Sequence, residues 1–342
     1  MAEQLRQSYS NENKNTAVAV LLPVYNDWIA VSQLIPLLDR AFAPVGADLH
    51  LLIVDDGSTE VSSLVLNGSE KFSAVVEITV VHLMCNVGHQ RAIAVGLAQI
   101  NSNYSCEYAL VMDSDGEDRP EDAVDMFESA RSKPNFAGAI VAQRTRRSEG
   151  VVFKTAYQAY KVLFHALSGQ RIDFGNFSLL SRSAVNRLTH SADLWNHFPA
   201  SILKSRLSIE RVRTSRGVRL AGRSSMNLVS LVALGLSAMS VYTDRVFVRI
   251  LLASLALSGV AAVGLIVVVL IKLLSGLAIP GWATSAAGFL AVILIQSLTF
   301  SAIAAFLNLS TRSNAFTVPA MDAFRYVERT CRIDMASKET ES

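Results

Sequence analysis

Two aspartates separated by a single residue, Asp113 and Asp115, form the most chemically suggestive pair in the chain. They follow residues 108–112, an apolar run that predicts a buried strand, so both carboxylates are expected at the end of that strand. Two carboxylates this close repel each other unless a cation lies between them or one stays protonated. A divalent ion that also binds a diphosphate would remove the repulsion. Because helix-capping acids produce the same spacing, the pair alone leaves both a metal site and a structural turn open.

Polar side chains also follow the three strands predicted before this one. The candidates are Pro23, Tyr25 and Asp27 after the first strand, Asp55 and Asp56 after the second, and Asn86, Gly88 and Gln90 after the third. Ligands of parallel α/β sheets bind at the carboxyl ends of the strands, so these groups should face one crevice together with Asp113. The chain contains neither G-x-G-x-x-G nor G-x-x-x-x-G-K-[ST], which argues against a dinucleotide-binding fold and a P-loop NTPase.

Alternating strands and helices have to position these side chains. β-Branched runs predict strands at 17–22, 51–54, 78–83, 108–112 and 139–142, and helical periodicity predicts helices at 28–42, 90–99, 121–131 and 151–167. This alternation is typical of βα units, so the predicted fold class is α/β with a mostly parallel sheet. Asp118 is expected to cap the helix at 121–131, which has Pro120 at its first turn.

Charge is distributed unevenly along the chain. The 342 residues include 31 Lys and Arg and 29 Asp and Glu, a formal net charge of +2, which gives no electrostatic reason for binding nucleic acid. Only four of these charges lie within residues 224–311, at Asp244, Arg245, Arg249 and Lys272. The chain therefore divides into a water-soluble part and an apolar part. Its three cysteines have no C-x-x-C spacing, so neither a disulfide framework nor a thiolate metal site is supported.

Two segments of the apolar part predict transmembrane helices, at about 250–271 and 282–307. Residues 224–245 predict an amphipathic helix at the membrane interface, and a helix packed on the soluble domain is the alternative. The predicted organisation is a polar tail at 1–16, a catalytic domain at 17–223, the interfacial helix, two spans within 246–309 and a tail at 310–342. Basic residues accumulate before the first span, so both termini and the catalytic domain are expected in the cytoplasm.

Four motifs in this order, LLPVYND, VDDGSTE, NVGHQRAIAVGL and VMDSDGEDRPED, resemble the inverting GT-A glycosyltransferases of family 2. The runs QRTRRSEG, DFGNFSLLSR and RGVRLAGRSS, with two C-terminal spans, are similar to the polyprenyl-phosphate branch of that family. This branch includes dolichol-phosphate mannose synthases and bactoprenol glucosyltransferases. The resemblance implies transfer of a hexose from a nucleotide sugar to a membrane polyprenyl phosphate, with inversion at the anomeric carbon. It also implies a bacterial inner-membrane location and is compatible with a homo-oligomer.

The resemblance also implies roles for individual residues. The donor nucleotide sugar would be bound by Pro23, Tyr25, Asp27, Asp55, Asp56, Asn86, Gly88, Gln90 and Asp113, and Asp113 with Asp115 would hold Mg²⁺ or Mn²⁺. The acceptor phosphate would be bound by Arg144, Arg146, Ser148, Lys154, Arg219, Arg223 and Ser224. His89 is expected to be a surface residue or to support the site, and not to act as a base. Gly57 and Ser58 are expected to shape the turn after the second strand, either alone or with direct contact to the ligand.

Asn176 occupies a position at which many bacterial relatives have an aspartate that has been proposed as a base. An amide cannot take up that proton, so the base role is in doubt, and Asn176 is expected to bond the sugar or the phosphate. The acceptor phosphate is already anionic near pH 7, so the reaction does not need a strong base.

Several alternatives stay open. UDP-glucose is the first expectation for the donor, and GDP-mannose, UDP-galactose and UDP-N-acetylhexosamine are the alternatives. A processive polysaccharide synthase would share the catalytic domain and membrane helices, but the chain has no Q-x-x-R-W motif. A catalytically silent, membrane-anchored binder of nucleotide sugars is a third hypothesis, which the intact Asp113 and Asp115 pair disfavours.

Overall fold

The computed structural model describes residues 15–60, 71–144, 151–221, 228–274, 281–313 and 317–334. These residues form two compact units. The first comprises Met1–Glu149, Ile172–Val241 and Thr317–Ser342, and the second comprises Gly150–Arg171 and Tyr242–Phe316. Both units are therefore discontinuous in sequence, whereas the predicted domains are consecutive segments.

The first unit is built on an eight-stranded sheet. In chain order its elements are β1 Thr16–Val24, α1 Trp28–Phe42, β2 Ala47–Asp55, β3 Val75–Leu83, α2 His89–Asn103, β4 Tyr108–Val111, α3 Pro120–Arg131 and β5 Ala139–Arg144. After α4, Val151–Ser168, which belongs to the second unit, come β6 Ser178–Ser181, α5 Arg182–Thr189, α6 Asp193–Asn196, α7 Phe198–Lys204, β7 Ile209–Thr214 and α8 Leu228–Ser240. All five predicted strands and four predicted helices are present.

The strand order is β7-β5-β6-β4-β1-β2-β3-β8. The central strands β4, β1, β2 and β3 are parallel, and so are β5 and β7, while β6 and β8 run antiparallel to their neighbours. The α/β class is confirmed, with a sheet that is mixed because of β6 and β8. Since β1 to β4 are parallel and adjacent, their carboxyl ends meet at one edge of the sheet.

Alternation of side chains along β1 divides the core into two layers. Val18, Val20 and Leu22 pack with Leu38 of α1 and Phe127 of α3 on one face. Ala19 and Leu21 pack with α2 and with Trp195 and Phe198 on the other face. Strands covered on both faces are almost continuously apolar, which is why β1 and β2 could be predicted from their composition.

The C-terminal segment contributes the last strand of the sheet. A short helix α11, Pro319–Asp322, and a 3₁₀ turn at Ala323–Tyr326 lead into β8, Val327–Asp334. β8 pairs antiparallel with β3, with Cys331 opposite Val80. Residues 317–334, predicted to belong to a C-terminal tail, are instead part of the unit that contains the sheet.

The second unit contains α4 and two long helices, α9 Thr243–Leu274 and α10 Trp282–Ser313. By length and hydropathy both helices are candidate membrane spans, over Thr243–Leu274 and Trp282–Ser310. In the most apolar stretch of each helix only 22% and 17% is buried, whereas a helix in the core of a soluble protein is mostly buried. The helix predicted at 224–245 is shorter than expected, since α8 ends at Ser240 and α9 begins at Thr243.

Two pairs of serines join α9 to α10. The hydroxyl oxygens of Ser254 and Ser301 lie 2.7 Å apart, and those of Ser258 and Ser297 also lie 2.7 Å apart. All four side chains are buried. Because a later residue on α9 pairs with an earlier residue on α10, the two helices are antiparallel, and the serines fix their register.

Candidate active site

The loop after β4, residues 113–119, contains both central aspartates and is called the carboxylate loop below. Its conformation depends on Asp118, which is buried and whose carboxylate accepts a hydrogen bond from the Asp113 backbone N–H at 2.9 Å. The N-cap of α3 is Arg119, one residue after the predicted Asp118, and it has no side-chain cap. Gly116 has a φ of 82°, and an added Cβ would lie 2.5 Å from the Leu220 side chain. This close approach lets the segment after β7 cover the carboxylate loop.

Asp115 is bonded on both of its oxygens. Oδ1 accepts from the Glu117 backbone N–H at 2.9 Å, and Oδ2 accepts from Arg219 Nη1 at 3.1 Å. Arg219 Nη2 also donates to Asp27 Oδ2 at 2.9 Å. One guanidinium group therefore joins the end of β1 to the carboxylate loop. Arg219, which the resemblance assigns to the acceptor phosphate, lies among the carboxylates assigned to the donor.

The segment that carries Arg219 makes further hydrogen bonds to the carboxylate loop. Arg216 donates to both oxygens of Glu117, at 2.9 and 2.6 Å. The backbone N–H of Gly217 donates to the Glu117 carbonyl, and that of Leu220 donates to the Asp115 carbonyl, both at 2.9 Å. Residues 215–221 therefore form a strap over the carboxylate loop. Sequence reasoning grouped these arginines with the membrane and the acceptor, since nothing in their spacing revealed a partner on the loop.

Three carboxyl groups of this crevice have pKa values above the ordinary range. Burial is the main cause for Asp27, where Arg219 acts in the opposite direction. Burial also raises the pKa of Asp115, and repulsion from Asp113 and Glu117 raises it further. The hydrogen bond from the Glu117 N–H and the charge of Arg219 act in the opposite direction. Burial raises the pKa of Asp56 as well, although the hydrogen bonds from two backbone N–H groups lower it. Burial, more than repulsion between carboxylates, therefore disfavours the charged forms of these groups.

Asp55 and Asp56 use their carboxylates to hold neighbouring loops. Asp55 accepts from the Ser58 N–H at 3.0 Å and lies 2.8 Å from His82 Nδ1. Asp56 accepts from the N–H groups of Val87 and Gly88, at 2.7 and 3.0 Å. The two predicted nucleotide ligands therefore connect the ends of β2 and β3. His82 was not among the predicted site residues. The signal that could have identified it is a titratable side chain near the carboxyl end of a predicted strand.

The turn after β2 depends on Gly57 and Asn26. Gly57 has a φ of 66°, and a Cβ there would lie 2.7 Å from the Asn86 backbone nitrogen, so only glycine fits. Asn26 Oδ1 accepts from the N–H groups of Thr59 and Glu60, at 2.9 and 3.1 Å. The predicted turn-shaping role of Gly57 is supported by this geometry, while Asn26 was not among the predicted site residues.

One backbone N–H and three side chains form a continuous hydrogen-bonded series beside Asp113. Gln90 Oε1 accepts from the Phe198 backbone N–H at 2.7 Å, and Gln90 Nε2 donates to Asn176 Oδ1 at 3.0 Å. Asn176 Nδ2 lies 2.9 Å from His89 Nε2, which is 3.2 Å from Asp113 Oδ1. Burial alone would lower the pKa of His89, but the Asp113 carboxylate, with smaller effects of Asp56 and Asp115, raises it above its ordinary value.

The remaining predicted donor residues surround this crevice. Pro23 is buried within β1, Tyr25 is 50% exposed after it, and Asn86 is exposed after β3. Gly88 has a φ of 92° and precedes α2, where its carbonyl accepts from the backbone N–H groups of Arg91 and Ala92. An exposed aromatic ring beside polar strand ends suits a planar nucleobase.

The predicted acceptor cluster is described only in part. Arg144 ends β5, with its backbone opposite Thr214, and Lys154 lies in α4, but their side chains are outside the described part of the structure. Arg146, Ser148, Arg223 and Ser224 lie outside the described residues altogether. Binding of a phosphate by this cluster stays a prediction.

A divalent ion suits the carboxylate loop chemically. Asp113 and Asp115 supply oxygen donors, which Mg²⁺ and Mn²⁺ prefer, and a cation would offset the burial and repulsion that raise the pKa of Asp115. Within the described ranges, no group of three or more His, Cys, Asp or Glu side chains comes together at metal-binding spacing.

The profile of a known protein family matches this part of the chain. The family profile described as glycosyl transferase family 2 matches residues 19–196, more than half of the 342 residues. The chain belongs to glycosyl transferase family 2. It is a glycosyltransferase, and the predicted family and enzyme class are confirmed. The family 2 match includes every polar strand end described above.

Three relatives illustrate where family 2 similarity extends. The uncharacterized glycosyltransferase YkcC of Bacillus subtilis is 25% identical over 80% of this chain and 82% of its own. An undecaprenyl-phosphate 4-deoxy-4-formamido-L-arabinose transferase of Klebsiella pneumoniae is 25% identical over 46% of each chain. The protein of that name in Yersinia enterocolitica is 23% identical over 80% of this chain and 81% of its own. The match thus spans under half of the Klebsiella protein and most of the other two.

A solved structure is similar to the chain at lower identity. Glucosyl-3-phosphoglycerate synthase from Mycobacterium tuberculosis, crystallised with Mn²⁺, UDP-glucose and phosphoglyceric acid, has a TM-score of 0.48 and 17% identity. The superposition covers 72% of this chain and 84% of that one.

Proposed function

We propose that this family 2 glycosyltransferase transfers a hexose from a nucleotide sugar to the phosphate of a membrane polyprenyl phosphate. The observation that carries the proposal is the crevice at the carboxyl ends of β1 to β4, where one guanidinium group, that of Arg219, bonds both Asp27 and Asp115. Two apolar helices suited to a membrane follow it in the chain. The Klebsiella and Yersinia relatives, whose names specify undecaprenyl phosphate, support this acceptor class.

In this proposal the crevice binds the donor. Tyr25 packs on the base, the turn at Asp55 and Asp56 faces the ribose, and Asn176 bonds an oxygen of the sugar or the phosphate. Asp113 and Asp115 would hold Mg²⁺ or Mn²⁺, which when bound neutralises the charge of the departing diphosphate. UDP-glucose is the donor we expect, with GDP-mannose as the alternative.

The transfer is a single displacement. An anionic oxygen of the acceptor phosphate forms a bond to the anomeric carbon while the bond from that carbon to the diphosphate oxygen breaks. The electron pair of the broken bond stays with the nucleoside diphosphate, and no proton has to move. The contribution of the protein is to align attacking and leaving oxygens and to exclude water, so the configuration inverts.

Membrane attachment follows from the second unit. We propose that α9 and α10 span the bacterial inner membrane as an antiparallel hairpin, with the first unit in the cytoplasm. The excess of basic residues before α9 supports this orientation. Because β8 pairs with β3, the segments before and after the hairpin fold together and lie on one side of any membrane. The two helices therefore cross it twice or not at all.

The test is a donor screen with the purified full-length chain in detergent and undecaprenyl phosphate as acceptor. We expect sugar to become chloroform-soluble with one donor, and EDTA to abolish the transfer. Asp115→Asn should lower the rate by about 100-fold or more, because a ligand of the metal is lost. Asp48→Asn is the matched control, since Asp48 lies on β2 away from the carboxyl ends and bonds Asn15.

Three results would contradict the proposal. Full activity in EDTA would exclude the metal role. Polymer formed without lipid phosphate would favour a processive synthase, and donor binding without transfer from any nucleotide sugar would favour a silent binder.

A further inference from the structure

The hydrogen bonds beside Asp113 have a fixed direction. The series of Phe198, Gln90, Asn176 and His89, called the amide relay below, begins at a backbone N–H, which can only donate. Phe198 is fully buried and is the first residue of α7, where a backbone N–H has no partner within its own helix. Gln90 supplies that partner at 2.7 Å. The atom of Gln90 that faces Phe198 must therefore be its oxygen.

Each later step in the amide relay follows from the first. A glutamine amide has one oxygen and one nitrogen, so the atom of Gln90 facing Asn176 across 3.0 Å is the nitrogen, which donates. Asn176 accepts that bond with Oδ1, which leaves Nδ2 as the atom 2.9 Å from His89 Nε2. The orientation of the Asn176 amide is thus set by a backbone group of α7, through Gln90.

We propose that Gln90 is a positioning residue, which turns the Asn176 amide so that its N–H bonds, and not its oxygen, face His89 and the Asp113 side of the crevice. Asn176 is then a hydrogen-bond donor in the transfer reaction. One of its N–H bonds points to His89, and the second would bond an oxygen of the donor sugar or the acceptor phosphate. This role rests on the function proposed above.

His89 experiences opposite demands from its two neighbours. Asp113 Oδ1, at 3.2 Å, favours a proton on Nε2, whereas Asn176 Nδ2, at 2.9 Å, favours a lone pair there. The amide relay prevents Asn176 from turning its oxygen to the ring, because Gln90 would then have to turn its nitrogen toward a backbone N–H. Asn176 therefore keeps an N–H directed at the ring.

Two substitutions place an oxygen, in place of an N–H, opposite His89. Gln90→Glu keeps the acceptor for Phe198 but presents a second oxygen to Asn176, whose amide must turn and direct Oδ1 at His89. Asn176→Asp keeps the acceptor for Gln90 and places a carboxylate oxygen at the same point. Both variants replace an N–H by an oxygen near the reacting groups, while the bond that holds the start of α7 is retained.

The kinetic test compares these variants in the full-length enzyme. We expect both to lower kcat by about 10- to 100-fold, the effect of removing one oriented donor, and to change the KM for the donor by about twofold or less. The matched control is Gln99→Glu on the same helix. Gln99 Oε1 accepts from Asn103 at 2.6 Å, so glutamate also keeps that bond, and kcat should not change. Thermal unfolding of Gln90→Glu should match that of the control.

A second measurement does not depend on activity. In protein labelled with ¹⁵N at asparagine, the Asn176 side-chain amide is assigned from the loss of its signals in Asn176→Asp. We expect His89→Asn to shift one Asn176 N–H signal in the wild-type background and to shift neither in the Gln90→Glu background, where the amide oxygen would face position 89.

Two results would overturn the positioning role: Asn176 N–H signals that do not respond to His89→Asn in the wild-type background, or higher activity of Asn176→Asp. An inactive wild type would contradict the proposed function, and the labelling result would still decide the direction of the amide relay.

Discussion

Arg219 donates a hydrogen bond to Asp115 across 3.1 Å, so the aspartate expected to bind a metal ion is paired with a cation of the chain itself. The same guanidinium group donates to Asp27 at 2.9 Å. The Arg219 side chain is 25% exposed and that of Asp115 is 15% exposed, so this ion pair is shielded from solvent more than a surface pair. A divalent ion that binds Asp115 has to compete with Arg219, and the competition releases an arginine beside an incoming phosphate.

Removal of Arg219 should therefore strengthen metal binding while it weakens transfer. We expect Arg219→Gln to bind Mn²⁺ about three- to tenfold more tightly, which corresponds to an ion pair of about 1 kcal/mol. The measurement is a Mn²⁺ titration followed by electron paramagnetic resonance in the absence of nucleotide. The control is Arg216→Gln, since Arg216 pairs with Glu117 on the same loop. Unchanged or weaker Mn²⁺ binding in Arg219→Gln would contradict the competition.

His197 should make the folded state sensitive to acid. It is 6% exposed, and burial lowers its pKa from 6.5 to about 4, while its Nδ1 accepts from the Ala200 N–H at the start of α7. Between these two pH values the unfolded chain binds a proton that the folded chain does not. Stability is therefore complete above about pH 6.5 and falls as the pH decreases toward 4, by up to about 3 kcal/mol.

The variant His197→Asn removes this titration and keeps an acceptor for the cap. We expect its unfolding temperature to fall less than that of the wild type between pH 7 and about 4.5, as followed by scanning calorimetry of the full chain in detergent. The exposed His190 bonds the Asn186 carbonyl, and His190→Asn is the control. Parallel pH profiles for the wild type and His197→Asn would contradict the assignment.

The serine pairs predict which positions of α9 and α10 can be cross-linked. With the three native cysteines replaced, Ser258→Cys combined with Ser297→Cys should form a disulfide rapidly on mild oxidation, because the hydroxyl oxygens lie 2.7 Å apart. The mismatched combination of Ser258→Cys with Ser301→Cys should react much more slowly. Protection of both thiols from a maleimide reagent reports the bond. Equal rates for the two combinations would show that the register is not fixed.

Glu77 should stabilise the attachment of β8 to the sheet. Its buried carboxylate accepts from Thr79 at 2.8 Å and Arg332 at 2.8 Å, and lies 3.1 Å from His50 Nδ1. We expect Glu77→Gln to lower the free energy of unfolding by about 1–3 kcal/mol, since at least one buried donor loses its acceptor. Hydrogen exchange across β8 should also become faster.

The control for this prediction is Glu328→Gln on the exposed part of β8, which should change stability by less than about 0.5 kcal/mol. A Glu77→Gln chain as stable as this control would show that the contacts of Glu77 do not contribute to stability.

Local pattern was sufficient to predict the centre of the sheet. β1 and β2 are covered on both faces, so their runs of apolar residues identify them, and the polar groups at their ends mark the crevice. The same reasoning located Asp113 and Asp115 correctly on the loop after β4. It also predicted Gly57 as a turn residue, because glycine is required where the backbone has a positive φ.

Contacts distant in sequence were not predictable in this way. β8 has the alternating composition of an exposed edge strand, so nothing in residues 327–334 identifies β3 as its partner. Asp118 has the residue type of a helix cap, but a backbone N–H of its own loop is the closer donor. Arg219 was assigned by its nearness in sequence to the membrane segment, whereas its partners Asp27 and Asp115 come from the ends of β1 and β4.

The position of β8 has a consequence for the order of synthesis. The ribosome completes β3 early, but the strand that covers its outer edge is made only after both helices of the hairpin have emerged. Until then β3 exposes a row of unpaired backbone groups, which favour pairing with other chains. Delayed insertion of the hairpin should therefore appear as aggregation of the catalytic sheet, so delivery to the membrane and folding of the enzyme are steps of a single process.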